Sequence, residues 1–252
     1  MRTARLLGTG RSFYHVMSRV VDRRKVFEAR DKEIFRKILR NQEAFTGVRI
    51  VTYCLMSNHF HLLLEVPPMP KDGLSDAEVM DKLGHSGVFP EGRFFPDTYR
   101  FVRGMSDVEF LQQAYARLEE VLAKEWNERS PAAPYRDPYQ ALIMASLVEK
   151  ETGVPQERGQ IAGVFVRRLQ IGMLLQTDPT VIYGMGERYN GKITRADLRE
   201  PTPYNTYVIA GLPPTPIAMV GREAIHAALN PLDGKSLSFV AKGDGSHVFS
   251  NT

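Results

Sequence analysis

The chain has 252 residues, 43% hydrophobic and 25% charged, a globular mixture that excludes a disordered chain and leaves room for one large domain or two of ordinary size. Its net charge of +4 lies wholly in the first third, where residues 1–49 hold 13 Lys and Arg against 5 Asp and Glu; residues 93–252 hold 18 of each. The single cysteine, Cys54, excludes an intrachain disulfide.

In chain order, residues 12–20 form a β-rich run, and residues 30–45 carry Ile34, Phe35, Ile38 and Leu39 at helical spacing. A second β-rich run, 49–56, turns at Ser57-Asn58 into a third, 59–66. Residues 67–92 read as a junction, because Pro67, Pro68, Pro70 and Gly73 open the stretch and three further glycines close it. Ser75 with Glu78 predicts a short helix inside the junction, and Ser106 with Glu109 predicts a helix to about residue 128. Asp137 and Pro138 cap and start an apolar helix that ends at Glu149 and Glu151, just before Gly153. Pro155 opens the next helix and Gly172 stops it; residues 174–212 read as loop-rich, 222–229 as helix, and 237–241 with 247–250 as a hairpin turning on Gly243-Asp244-Gly245. There is no run long enough for a signal peptide or a membrane span, so the chain as written is expected to stay in the cytoplasm.

His59-Phe60-His61 lies on a predicted strand, where alternation puts both imidazoles on one face, close enough to converge on one divalent metal. Two strand histidines without metal fit the spacing equally well. The basic cluster in residues 1–49 fits a polyanion such as nucleic acid, although a solvated basic helix face is the commoner cause of such an excess. Taken together, Phe13-Tyr14-His15-Val16 and the run from Cys54 to Leu63 resemble the REP-associated tyrosine transposase family over residues 10–80. That resemblance implies a partial ferredoxin-like domain that binds single-stranded or hairpin DNA, with His59 and His61 as ligands of Mg²⁺ or Mn²⁺. It also implies a nucleophilic tyrosine on a later helix. Tyr99 and Tyr115 lie at a suitable distance, but their context belongs to another pattern, so the nucleophile is expected to be lost.

The two glutamates near residue 150 carry the second signal. A carboxylate among apolar side chains is poorly solvated, so it can hold a proton near neutrality and act as a general acid. Spacing leaves the choice open, because Met144 and Val148 share a face with Glu151 while Leu142 and Ala145 share one with Glu149. The following loops are rich in amide, hydroxyl and aromatic groups, as a glycan groove requires: Gln176, Thr177, Asp178, Tyr204, Asn205 and Tyr207 are the candidates, with Asn205 or Gln176 able to orient the acid. Equally, Asp178-Pro179 and Tyr204-Asn205 can simply build turns.

Five runs resemble the endolytic murein transglycosylase family: Glu91 to Tyr99, Ala145 to Thr152, Leu175 to Gly184, Pro203 to Tyr207 and Gly211 to Pro214. The resemblance implies cleavage of peptidoglycan glycan strands to 1,6-anhydro ends, with Glu151 as the single acid and base, Glu149 as the fallback, and no cofactor. It also implies a setting at the inner membrane, facing the periplasm. The expected protein is therefore α+β: a partial ferredoxin-like segment (1–66), a junction (67–92) and a mainly helical, loop-rich catalytic domain with a C-terminal hairpin (93–252). Metal-dependent DNA binding, or a fusion with neither activity, is the alternative.

Overall fold

The computed structural model describes residues 12–19, 29–46, 48–56, 59–66, 74–100, 105–243 and 246–251. It divides into two compact units, residues 2–73 and 74–252, and the mixture of helices with two small sheets is α+β. Among the described residues no helix is long and apolar enough to cross a membrane.

In the first unit, β1 (Ser12–Arg19), α1 (Ala29–Thr46), β2 (Arg49–Leu55) and β3 (His59–Val66) follow the predicted order closely. The sheet is antiparallel in the order β1-β3-β2. Ser57-Asn58 lies outside the described residues, and the Met56 N–H donates to the His59 carbonyl at 2.8 Å across it. Alternation along β3 sends Phe60 against Phe35 of α1, ring centres 5.0 Å apart, so His59 and His61 face away from that helix. Only part of the α1 apolar stripe turns inward: Leu39 is buried, whereas Ile34 and Ile38 are about half exposed (47% and 50%). A stripe four residues wide covers more of the helix circumference than one sheet face can cover.

The second unit begins inside the expected junction. Residues 67–73 lie outside the described residues, but 74–92 pack as structure. There α2 (Asp76–Lys82) buries Met80, and Leu83 just after it, against Tyr115, with Val88 and Phe94 alongside. Ser75 and Ser106 form the two predicted capping boxes, the second opening α3 (Asp107–Asn127). Tyr115 stacks on His85, ring centres 3.9 Å apart, and the Tyr99 hydroxyl donates to the Phe95 carbonyl at 2.6 Å. Both tyrosines serve packing.

The centre of this unit is α4 (Pro138–Glu151). Asp137 accepts the Gln140 N–H at 2.9 Å and Pro138 occupies the first turn, where its missing donor costs nothing. Every residue from 141 to 148 is buried, as expected of a helix apolar all round and enclosed by others. Around it lie α3, α5 (Arg158–Gln170), α6 (Asp178–Met185) and α7 (Arg222–Leu229). Each large apolar side chain fully buried there contributes roughly 1.5–3 kcal/mol. Ser146 is the polar exception, and it is satisfied: its hydroxyl donates to the Ile143 carbonyl at 2.7 Å and accepts the Ile217 N–H at 3.0 Å.

Inside the stretch read as loop-rich, α6 is a short helix that the sequence reading did not single out. Thr177-Asp178-Pro179 is a helix start, with an N-cap residue, an acidic first turn and a proline at the first turn, but its two turns are too short to show a period. At the C-terminal end β4 (Ser238–Ala241) pairs with β5 (His247–Ser250). Asp244 and Gly245 of the expected turn lie outside the described residues, and the Lys242 N–H closes the hairpin on the Ser246 carbonyl at 2.9 Å. Phe239 and Phe249 pack it onto the core.

One close approach fixes α5 against the chain leading to that hairpin. A Cβ on Gly163 would stand 2.3 Å from the Leu232 carbonyl oxygen, a backbone atom that cannot swing aside. Gly163→Ala is therefore expected to lower the melting temperature: overpacking costs about 1–3 kcal/mol and exceeds the roughly 1 kcal/mol that alanine adds to helix propensity. A variant melting above wild type would show that the chain at Leu232 yields.

Candidate active site

The last turn of α4 sends its two glutamates apart, since residues two apart on a helix point about 200° from one another. Glu149 Oε2 accepts the Gly221 N–H at 3.1 Å, and Gly221 is the N-cap residue of α7, with no side chain of its own to cap that helix. Glu149 thus supports a helix N-terminus, a stabilising place for a carboxylate. Glu151 turns the other way and accepts the Thr177 hydroxyl on Oε2.

Thr177 is 1% exposed and stands at the N-cap of α6, yet makes no side-chain capping bond. Its hydroxyl goes to Glu151 instead, forgoing a cap ordinarily worth about 1 kcal/mol. Buried threonines hold it: its N–H donates to Thr206 Oγ1 at 3.1 Å, its carbonyl accepts Thr180 Oγ1 at 2.7 Å, and the Thr180 and Thr206 hydroxyls meet at 2.8 Å. Beside it Gln176 has φ +51°, the one described non-glycine residue with positive φ. This left-handed conformation costs on the order of 1–3 kcal/mol and is pinned by the Gln176 N–H donating to the Thr206 carbonyl at 3.0 Å. The Gln176 side chain is exposed.

Burial raises the Glu151 pKa above the usual carboxylate range; the Thr177 hydrogen bond opposes this, nearby Asp178 adds to it, and His247 and Arg168 oppose it. The net direction is upward, toward a carboxyl that keeps its proton. Asp178 accepts the Tyr207 hydroxyl at 2.6 Å. Burial, then that carboxylate, push the Tyr207 phenol above its ordinary range, so it stays a hydrogen-bond donor.

The predicted residues therefore separate by role. Thr177, Asp178 and Tyr207 gather around Glu151, with Gln176 at their edge. Asn205 does not join them: it is 1% exposed, and its amide donates to the Asp197 and Glu200 carbonyls at 3.1 and 2.8 Å while its oxygen accepts the Tyr207 N–H at 2.9 Å. With its capacity spent on backbone, Asn205 builds the loop and does not orient the acid. Tyr204 lies against Tyr183, ring centres 4.7 Å apart, with its hydroxyl 2.8 Å from Thr215 Oγ1.

The sequence profile of the YceG-like family matches residues 9–252. The chain belongs to the YceG-like family. This YceG-like chain is 36% identical over 162 residues to an endolytic murein transglycosylase of Bacillus subtilis (strain 168), covering 64% of this chain and 44% of that protein. It is 30% identical over 156 residues to one of Streptococcus pneumoniae serotype 2 (strain D39 / NCTC 7466), covering 60% and 28%. The crystal structure of a yceG-like protein from Listeria monocytogenes superposes with a TM-score of 0.57 at 34% identity, covering 69% of this chain and 57% of that one. The chain thus spans less than half the length of the two transglycosylases. The family match begins ahead of the residues that resemble a transposase and includes them.

Three residues of this YceG-like site lie outside the sequence reading. His247 is held at both ends of its residue by one carboxylate: Glu157 accepts its N–H at 2.9 Å and pairs with Nδ1 at 2.8 Å. Arg168 is buried behind the Gln176 loop. The run from Val164 to Leu169 holds Arg167 and Arg168 side by side, and nothing in the sequence separates the buried one from its neighbour; for Glu157 and His247 there was no signal, because their pairing spans 90 positions. At His59 and His61 the imidazole centres are 5.2 Å apart. Among the described residues no group of three His, Cys, Asp or Glu could hold a metal ion.

Proposed function

We propose that this protein is a peptidoglycan lytic transglycosylase in which Glu151 serves as both acid and base. The observation that carries this reading is a carboxyl driven toward its protonated form by burial, with a fixed hydroxyl donor on one oxygen. The names of the relatives support the substrate class. Protonated Glu151 gives its proton to the glycosidic oxygen as the bond to C1 breaks. The C6 hydroxyl of the same sugar then attacks C1, and the Glu151 carboxylate takes the hydroxyl proton. The proton account closes on one residue, no water is consumed, and the product is a 1,6-anhydro sugar. Gln176, Asp178, Tyr204 and Tyr207 are the groove residues of this reading.

Digestion of purified glycan strands tests it. Release of 1,6-anhydro-muropeptides supports the reading, and reducing ends without anhydro product would replace it with hydrolysis. Peptidoglycan lies outside the cytoplasmic membrane, so the reading places the site on that face; cell fractionation decides between this and the cytoplasmic setting expected from the sequence.

The first unit supports a second, separate reading: a partial ferredoxin-like, DNA-binding segment. Its order β1-β3-β2 with α1 between β1 and β2 fits the first three strands of such a fold, and the two histidines lie on the face away from α1. A labelled DNA hairpin is expected to shift with salt-sensitive affinity, and Mn²⁺ to tighten binding only while His59 and His61 are intact. No shift at low salt would remove this reading and leave the first unit to serve the transglycosylase.

A further inference from the structure

Arg168 of α5 is 7% exposed, and among the described residues its guanidinium bonds only backbone carbonyls. Nε donates to Leu237 at 2.6 Å, and Nη1 donates to Leu175 at 2.5 Å and Leu174 at 3.4 Å. Those carbonyls belong to two segments that both end at the site. Leu174 and Leu175 lead into Gln176 and Thr177, which donates to Glu151; Leu237 leads into the hairpin that carries His247. A buried cation is ordinarily matched by a hydrogen-bonded carboxylate, and among the described residues Arg168 has none. The acidic groups within its electrostatic reach are the Tyr207 phenol, which keeps its proton, and the Glu151 carboxyl.

We propose that Arg168 is a positioning residue for Glu151: it anchors the loop that presents the Thr177 hydroxyl, and supplies a permanent positive charge that stabilises the Glu151 carboxylate between its two proton transfers. This rests on the reading of Glu151 as acid and base. Once Glu151 has given up its proton it must remain an anion until the C6 hydroxyl supplies another, in surroundings whose burial disfavours that anion. The groups that bear on it are Thr177 and Asp178 at the start of α6, Tyr207 in the loop, His247 on β5 and Arg168 on α5. Asp178 works against the carboxylate. The Arg168 guanidinium is cationic throughout the working range.

The test needs no catalysis. In the full chain labelled with ¹³C at glutamate side chains, the Glu151 carboxyl resonance is identified by its loss in Glu151→Gln and titrated in wild type, Arg168→Gln and Arg168→Lys. Its midpoint is expected to rise in Arg168→Gln and to return toward wild type in Arg168→Lys, which keeps the charge while losing the paired carbonyl bonds. On glycan strands Arg168→Gln is expected to lose kcat with little change in KM. An unmoved midpoint in folded Arg168→Gln overturns the proposal. Should that variant not fold, Arg168→Met is titrated in its place: a raised midpoint there supports the proposal and an unmoved midpoint overturns it. Wild-type protein that yields no anhydro ends, with the midpoint still raised in Arg168→Gln, would instead remove the transglycosylase reading and leave the Arg168–Glu151 coupling standing.

Discussion

Glu151→Gln is expected to eliminate 1,6-anhydro product, while Glu149→Gln is expected to keep most of it. One residue supplies both proton transfers, and each is worth about 10²–10⁴-fold, so the loss in kcat/KM should be at least about 10³-fold. Glutamine preserves the shape of residue 151 and can still accept the Thr177 hydroxyl, so the loss would report chemistry and not packing. At residue 149 the amide oxygen can still accept the Gly221 N–H. Only the charge at the α7 N-terminus disappears, about 0.3–1 kcal/mol of stability. Glycan digests with both variants decide the matter: an active Glu151→Gln beside an inactive Glu149→Gln would transfer the role to Glu149.

The same substitution carries a stability signature. The folded Glu151 pKa is raised above its usual 4.5, so the folded state holds the proton more tightly than the unfolded state does. Stability linked to this group is complete below the unfolded pKa and is lost as pH rises through the raised folded value. A glutamine side chain never ionises, so the melting temperature of Glu151→Gln relative to wild type should be higher at pH 7 than at pH 4. Activity has the same sign: the reaction starts from protonated Glu151, so kcat/KM should fall as pH rises through the raised value.

Thr177→Val is expected to give the second largest effect. The hydroxyl bonds a group that becomes a carboxylate during the reaction, and hydrogen bonds to charged groups are worth about 1.5–3 kcal/mol, or roughly 10- to 100-fold in rate. The bond lowers the Glu151 pKa, so removing it should also move the alkaline limb of the pH profile upward. Valine is nearly isosteric, and since Thr177 makes no side-chain capping bond, the start of α6 should be little disturbed. Thr177→Ser keeps the donor and should retain most of the activity. A valine variant with wild-type rate and profile would reduce Thr177 to a packing residue.

Much of the architecture is written locally. Ser75, Ser106 and Asp137 each cap the helix that their spacing predicts, because capping bonds join residues three apart and need no tertiary partner. The run from 141 to 148 marks the central helix because nothing else can accommodate an apolar surface on every side. The two-turn α6 escaped, its start signal readable but its length below one clear period. Residues 74–92 look like linker by their glycines and prolines, yet Met80 and Leu83 bury against Tyr115, which lies more than thirty positions further on.

What residue order alone determined at the site was a short list: two glutamates at the end of a buried helix, and hydroxyl-rich and amide-rich loops after it. Tertiary structure divided that list. Glu149 meets a backbone N–H 72 positions away, and Glu151 meets a hydroxyl 26 positions away; Asn205 turns from groove to scaffold because its amide is consumed by nearby carbonyls. Arg168 and His247 enter through contacts spanning 69 and 90 positions. Proton affinity is set by burial and by charges converging from distant parts of the chain, and spacing within one helix cannot record where those charges will lie.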